Sequence, residues 1–214
     1  MADAYVDAVR LYVAPQVWTM IELQRLTGMR PGEVCQMRTC DLVTSGRIWE
    51  YRPSTHKTAH HGKSRVVFIG PQAQQVLHPW LRAELEAFLF QPREAEAQRR
   101  AEQRANRKTP VQPSQRDRSK SNPRKTPGER YTATSYCRAI TQGIRRANAH
   151  RAENGPEIPH WHPHQLRHSA ATRLRREFGL DTARAVLGHS SPIVSEIYAE
   201  LDQFKASEAM SKIG

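Results

Sequence analysis

Apolar residues Val17, Met20 and Ile21 recur at helical spacing behind Pro15, and Gly28 stands where the helix they predict should stop. A tight turn, Thr27-Gly28-Met29-Arg30, separates it from a second helix. That helix is opened by Pro31 and carries Glu33 in its first turn, where a negative charge suits the helix dipole. Between residues 41 and 70 the pattern changes. RIWEYRP and RVVFIG are rich in β-branched and aromatic residues and predict strands of a small antiparallel sheet, with the polar stretch STHKTAHHGKS as the hairpin tip. Near-helical spacing returns from Pro71 to about Phe90 (Val76, Leu77, Trp80, Leu81, Leu85, Phe88), with Pro79 expected to kink or split the helix.

Residues 91–130 lose this periodicity and become rich in Arg, Lys, Gln, Ser and Pro, as a flexible insertion would. A helix capped by Thr134 is predicted next, with Tyr136, Ile140 and Ile144 on one face and Arg138, Arg145 and Arg146 on others. The last third predicts three more helices. Pro163 opens one with the stripe Leu166, Ala170, Leu174 and Phe178, ended by Gly179. Asp181 caps a short one ending at Gly188. Ser191 and Pro192 start a third, with Ile193, Ile197 and Leu201 on one face and Tyr198 riding on it. The expected fold class is α+β, mostly helical with one small antiparallel sheet, in a single domain over 1–214.

Composition narrows the partners. Of 214 residues 38% are hydrophobic, enough for one substantial core. The net charge is +12 and the pI about 10.2, so a polyanion, nucleic acid first, is the expected partner. No apolar run approaches the roughly 18 residues that a membrane span needs, and the N-terminus lacks the pattern of a signal peptide. Cys35, Cys40 and Cys137 are odd in number and share no CxxC spacing. They suggest a reducing compartment and no disulfide framework, hence a cytoplasmic protein, nucleoid-associated if bacterial.

The polar residues add chemistry. His164 and Arg167 are three apart on a predicted helix and share a face, a geometry that can grip a phosphate. Arg30 lies at a helix-opening turn, a usual place for anion recognition. His189 sits at another helix junction, and Tyr198 follows nine residues later. Taken singly, each reads as well as an ion-pair arginine, a solvated helix face, a junction hydrogen bonder or a packing tyrosine. Together, two guanidiniums, two imidazoles, a phenol and a lysine can attack a phosphodiester without a metal.

The segments TGMRPGE, HKT, HPHQLRHSAATRL and LGHSS, followed by IVSEIY, resemble the tyrosine recombinase (phage integrase) family in order, local sequence and spacing, over roughly residues 13–90 and 131–202. The family signature is an Arg in a TGxRxxE turn, a Lys on a β-hairpin, an HxxR box, a His or Trp after LG, and a nucleophilic Tyr about nine residues on. Here those positions read Arg30, Lys57, His164 with Arg167, His189 and Tyr198. Glu33 matches the acidic residue three after the first arginine and is expected to orient Arg30 or Lys57.

The resemblance implies strand cleavage and rejoining through a 3′-phosphotyrosine, with no cofactor. Double-stranded DNA and further copies of the chain in a synaptic tetramer are the implied partners. Lys63 competes with Lys57 for the role of general acid, and His164 is either a proton acceptor or a phosphate ligand. Expected DNA contacts are Arg138, Arg145, Arg146, Lys63, Arg124 and Lys125. The N-terminal DNA-clamping domain usual in the family is not expected within this sequence, which is either a fragment or a chain with less grip on DNA, and the motifs leave 91–130 unexplained.

Three rival readings compete with this one. Zinc could use His160, His162, His164 and His168, with His60 and His61, but Pro159 and Pro163 interrupt the run and no cysteine lies nearby. A DNA-binding relative without catalysis would not need the whole residue set. A type IB topoisomerase shares the tyrosine chemistry, and LGHSS favours the recombinase.

Overall fold

The computed structural model describes residues 2–55, 65–112, 128–151 and 155–188. Its helices are α1 (Asp3–Asp7), α2 (Pro15–Thr27), α3 (Pro31–Cys35), α4 (Pro71–Leu77), α5 (Pro92–Ala105), α6 (Ala133–Arg151), α7 (Pro163–Phe178) and α8 (Leu180–Leu187). Short 3₁₀ turns lie at Arg10–Tyr12, Thr39–Asp41 and His78–Trp80. Strands β1 (Leu42–Val43), β2 (Trp49–Tyr51) and β3 (Val67–Ile69) form an antiparallel sheet in chain order.

Helix α2 is the centre of the fold. Val17, Met20, Ile21 and Leu23 are buried around its circumference, and α4, α6 and α7 pack against it. A helix apolar on more than one face must be covered on more than one face. It stops at Gly28, whose φ of 66° is a left-handed conformation that a side chain disfavours. Thr27 and Gln24 then bind the turn from inside. Thr27 Oγ1 donates to the Leu23 carbonyl (2.6 Å), and Gln24 Nε2 donates to the Met29 carbonyl (2.9 Å). The sheet packs one side inward. In register, Leu42 faces Tyr51 and Tyr51 faces Val67, with Tyr51 and Val67 buried, whereas Phe68, opposite Glu50, is exposed.

Several predicted elements need correction. The sheet gains β1, a two-residue strand too short to leave a pattern. The helix expected to reach Phe90 ends at Leu77, and Pro79 sits in the 3₁₀ turn that replaces it. Beyond the turn the chain pairs with the 37–40 segment instead: Leu89 N donates to the Met37 carbonyl, and Cys40 N donates to the Leu85 carbonyl (both 2.9 Å). The apolar residues there suit strand-like and helical pairing equally. The cap of α6 is Thr132, not Thr134, since Thr132 Oγ1 accepts from Ser135 N at 3.1 Å. Asp181 lies inside the first turn of α8, and Gly179 precedes the helix. On α7 the buried stripe is Leu166, Arg167, Ala170, Ala171 and Arg175, and Phe178 is exposed.

The start of the basic segment is helical. α5 has no buried residue, and charge pairing supports it in place of an apolar stripe. Glu96 accepts from Arg99 and Arg100 (both 2.8 Å), and Glu94 takes the Arg82 guanidinium. Pairs of opposite charge inside a low-complexity stretch are easily read as linker composition. The predicted helix over 191–201 lies outside the described residues, as do residues 113–127 of the basic segment. Among the described residues, no helix is long and apolar enough to cross a membrane.

Candidate active site

The turn between α2 and α3 presents Arg30. Its backbone is the N-cap of α3, and Glu33 closes the cap by accepting from Arg30 N through Oε2 at 2.7 Å. Glu33 Oε1 accepts from Arg30 Nη1 at 2.8 Å. One carboxylate therefore fixes both the backbone and the guanidinium of Arg30. The carboxylate is buried while Arg30 reaches the surface. Burial pushes the Glu33 carboxyl up, but Arg65, the Arg30 N–H and the Arg30 guanidinium together outweigh it, so it titrates below the ordinary value of 4.5.

Arg167 comes from the first turns of α7, which His162 caps and Pro163 opens. It is buried, 7% exposed, and its fork is spread between two backbone carbonyls. Nη1 donates to Gly28 O (2.6 Å) and Nη2 donates to Leu187 O (2.8 Å). Gly28 stands two residues before Arg30, and Leu187 two before His189. One guanidinium thus holds together the TGMR turn, the HxxR helix and the LG turn, segments separated by up to 159 residues of chain. The close approach of α7 and α8 to the turn requires glycine at 28. A Cβ there would stand 2.5 Å from Leu187 Cδ2 and 3.4 Å from Ala170 Cβ.

His164, one residue into α7, is exposed and shares an open cleft of about 460 Å³ with Arg30, Glu33, Gln36, Thr55 and Ala133. Partial burial and the neighbouring His168, His162, Arg167 and Arg30 all lower its pKa from 6.5. Arg138 and Arg145, both exposed and seven residues apart on α6, line one cleft with Thr134 and Thr141. Arg146 points elsewhere, toward α5 and the 11–15 segment.

Lys57, Lys63, Arg124, Lys125, His189 and Tyr198 lie outside the described residues, as do His60 and His61. Among the described residues, no group of three or more His, Cys, Asp or Glu side chains is arranged to hold a metal ion, and His160 instead lies 3.3 Å from Thr141 Oγ1. Tyr131 and Tyr136 are unsuited to nucleophilic attack. Both are buried, and burial pushes Tyr131 up to about 12 and Tyr136 well above 10.

Sequence reasoning missed Arg65, which begins the run RVVFIG and reads there only as part of a strand. In the fold it is buried, with Nε 3.4 Å from Glu33 Oε1, and Nη1 donates to the carbonyls of Val66 and Val186 (both 3.0 Å). The signal that could have found it is Glu33 itself, an acid that needs a second buried cation once it is desolvated.

A model of the phage integrase family matches residues 9–204. The chain belongs to that family, the tyrosine recombinases. Solved structures share its fold at low identity. XerH recombinase bound to a difH substrate in a pre-cleavage complex is 20% identical with a TM-score of 0.54, over 98% of this chain and 51% of that one. XerA recombinase is 17% identical with a TM-score of 0.56, over 99% and 64%. A lambda integrase fragment (75–356), a dimer bound to a COC′ core site, is 15% identical with a TM-score of 0.57, over 92% and 58%. The chain therefore spans about half to two thirds of the length of these proteins. No curated protein matches it in sequence.

Proposed function

We propose that this chain carries the catalytic centre of a site-specific DNA recombinase or integrase that cuts and rejoins DNA through Tyr198. The observation that carries the reading is the Arg167 guanidinium bonded to both Gly28 and Leu187, which draws three of the family's motif segments to one point. Lys57, His189 and Tyr198 are assigned from the family motif alone, since they lie outside the described residues.

A phosphodiester carries one negative charge and gains more in the transition state, so positioned cations and donors must take that charge. Arg30 and Arg167 are assigned to the non-bridging oxygens, Arg167 through the second N–H of each Nη atom while the first holds Gly28 O or Leu187 O, with His189 donating to the same phosphate. Tyr198 attacks phosphorus. A free phenol with a pKa near 10 is ionised in only about one molecule in a thousand at neutral pH, so its proton must leave as attack proceeds. His164, whose pKa partial burial and the neighbouring cations lower from 6.5, is assigned as the proton acceptor or as a phosphate ligand. The bond to the 5′-oxygen breaks as Lys57, or Lys63 on the same segment, delivers a proton to it. The products are a 3′-phosphotyrosine and a 5′-hydroxyl. Attack by a second 5′-hydroxyl reverses the step and restores the backbone, with bond energy kept in the covalent link.

The test is a nicked suicide duplex incubated with the chain in the presence of a chelator. The expected product is a covalent protein–DNA adduct that survives denaturation, attached at a 3′ end. No adduct under any condition that permits DNA binding would favour a binding relative without catalysis. Relaxation of supercoiled DNA without exchange of strands between duplexes would favour a topoisomerase.

A further inference from the structure

Residues 56–64 carry Lys57, and both ends of that segment are tied to the Arg30 turn. At its entrance Thr55 exchanges hydrogen bonds with Gln36, one residue past α3, through both its hydroxyl and its carbonyl. At its exit Arg65 reaches Glu33, the acid that holds Arg30. The same guanidinium extends to the end of α8, where Nη1 donates to Val186 O at 3.0 Å. Gly188 lies directly over it. A Cβ on Gly188 would be 2.8 Å from Arg65 Nη1 and 3.3 Å from Cζ, and the positive φ of 65° also reserves the position for glycine. His189 is the next residue.

Arg65 is an expensive way to join these parts. Its side chain is 5% exposed, Nε stands at 3.4 Å from Glu33 Oε1, and among the described residues Nη2 is buried without a hydrogen bond. Burial lowers its pKa and Glu33 raises it. An apolar residue would fill the space at less cost in desolvation, which points to a use for the charge and the fork.

Resting on the recombinase reading, we propose that Arg65 is a positioning residue: it locks the Glu33–Arg30 pair and the Val186–Gly188 turn into one arrangement, so that Arg30 is held where it meets the phosphate. Arg65 touches no reacting atom in this scheme. Its effect passes through Glu33 to Arg30. A displacement of about 1 Å in such groups can cost on the order of 10²-fold in rate.

The test compares the full-length parent chain with Arg65→Lys, Arg65→Gln and Gly188→Ala. Each is measured for duplex DNA affinity, thermal midpoint, and single-turnover cleavage of a suicide duplex at saturating protein across pH 5–9. Cleavage should fall about 10–100-fold in Arg65→Lys and more in Arg65→Gln, with DNA affinity within about 3-fold of the parent. Gly188→Ala leaves Arg65 in the sequence but displaces its guanidinium, and should resemble Arg65→Lys. In Arg65→Gln the Glu33 carboxylate faces only Arg30, with Tyr51 bonded to its backbone carbonyl, so the acidic limb of the pH profile should move to higher pH. A folded Arg65→Lys that cleaves within about 3-fold of the parent overturns the proposal. So does a drop in cleavage wholly accounted for by weaker DNA binding, or variants that all fail to fold, since Arg65 would then serve only the fold. A parent that never forms an adduct instead sinks the recombinase reading.

Discussion

Replacing Gly28 with alanine perturbs the point where three motif segments meet, and its cost can be worked from the geometry. The backbone there has φ 66°, and an L-residue in the left-handed region costs roughly 1–2 kcal/mol. The new methyl would lie 2.5 Å from Leu187 Cδ2, and Leu187 is 1% exposed, so it has nowhere open to swing. Overpacking of that kind costs roughly 1–3 kcal/mol. Together the two effects come to about 2–5 kcal/mol. At roughly 2–4 °C per kcal/mol for a chain of this size, the thermal midpoint should fall by about 4–20 °C. Moving Leu187 also moves the carbonyl that accepts from Arg167, so cleavage should fall further than stability alone explains. Gly32→Ala is the control. It lies in α3 with nothing within 4 Å of the added methyl, and relief of helix entropy should leave it neutral or stabilised by about 0.5–1 kcal/mol. Circular dichroism melts of the two variants decide the matter. A midpoint for Gly28→Ala within about 1 °C of the parent, or equal damage from Gly32→Ala, would refute the reasoning.

Glu33→Gln removes the charge shared by Arg30 and Arg65 and should cost about 2–4 kcal/mol, below the full value for a buried pair because Arg30 is partly exposed. Urea unfolding measures it. Because the folded Glu33 carboxyl titrates below its ordinary value, its contribution is present above about pH 4.5 and disappears as pH falls through the depressed value. Stability should therefore drop less between pH 7 and pH 3 in Glu33→Gln than in the parent, and parallel drops would contradict this. Arg167→Lys keeps a charge but cannot span both Gly28 O and Leu187 O, so single-turnover cleavage should fall on the order of 10²-fold or more; activity within a few-fold would remove Arg167 from the phosphate site. Residues 107–127 hold seven basic residues against one acidic. Replacing them with a Gly/Ser linker spares the Arg82–Glu94 anchor and should make the slope of log K against log salt shallower by roughly 0.9 for each phosphate no longer neutralised, with an unchanged slope assigning the segment to a spacer.

What the sequence disclosed was mostly local. Gly28, Pro31 and Glu33 spell out a helix stop, a helix start and a cap within six residues, and the fold has all three. Pro79 breaks a helix wherever it falls. The misses came from long-range pairing. Leu85, Phe88 and Leu89 have helical spacing, yet they follow the edge of the 37–40 segment because those backbone groups lie across from them. The helix at α5 is held by Glu94 and Glu96 finding arginines, which composition does not display. Arg65 depends on Glu33, 32 residues before it, and on Val186, 121 after it. A buried arginine of that kind becomes visible only when the segments have met. Arg167 stands where the HxxR pattern puts it, but its fork, expected on a phosphate, is found on two backbone carbonyls.

Everything proposed for the site turns on Tyr198 being the residue that becomes joined to DNA. The direct measurement traps the adduct on a suicide duplex, digests protein and DNA, and locates the modified peptide by mass spectrometry, with Tyr198→Phe in parallel. The predicted result is a single modified peptide containing Tyr198, and no adduct in Tyr198→Phe although that variant folds and binds DNA as the parent does, because only the nucleophilic oxygen is removed. An adduct that persists in Tyr198→Phe, or one mapped to another residue, would contradict it.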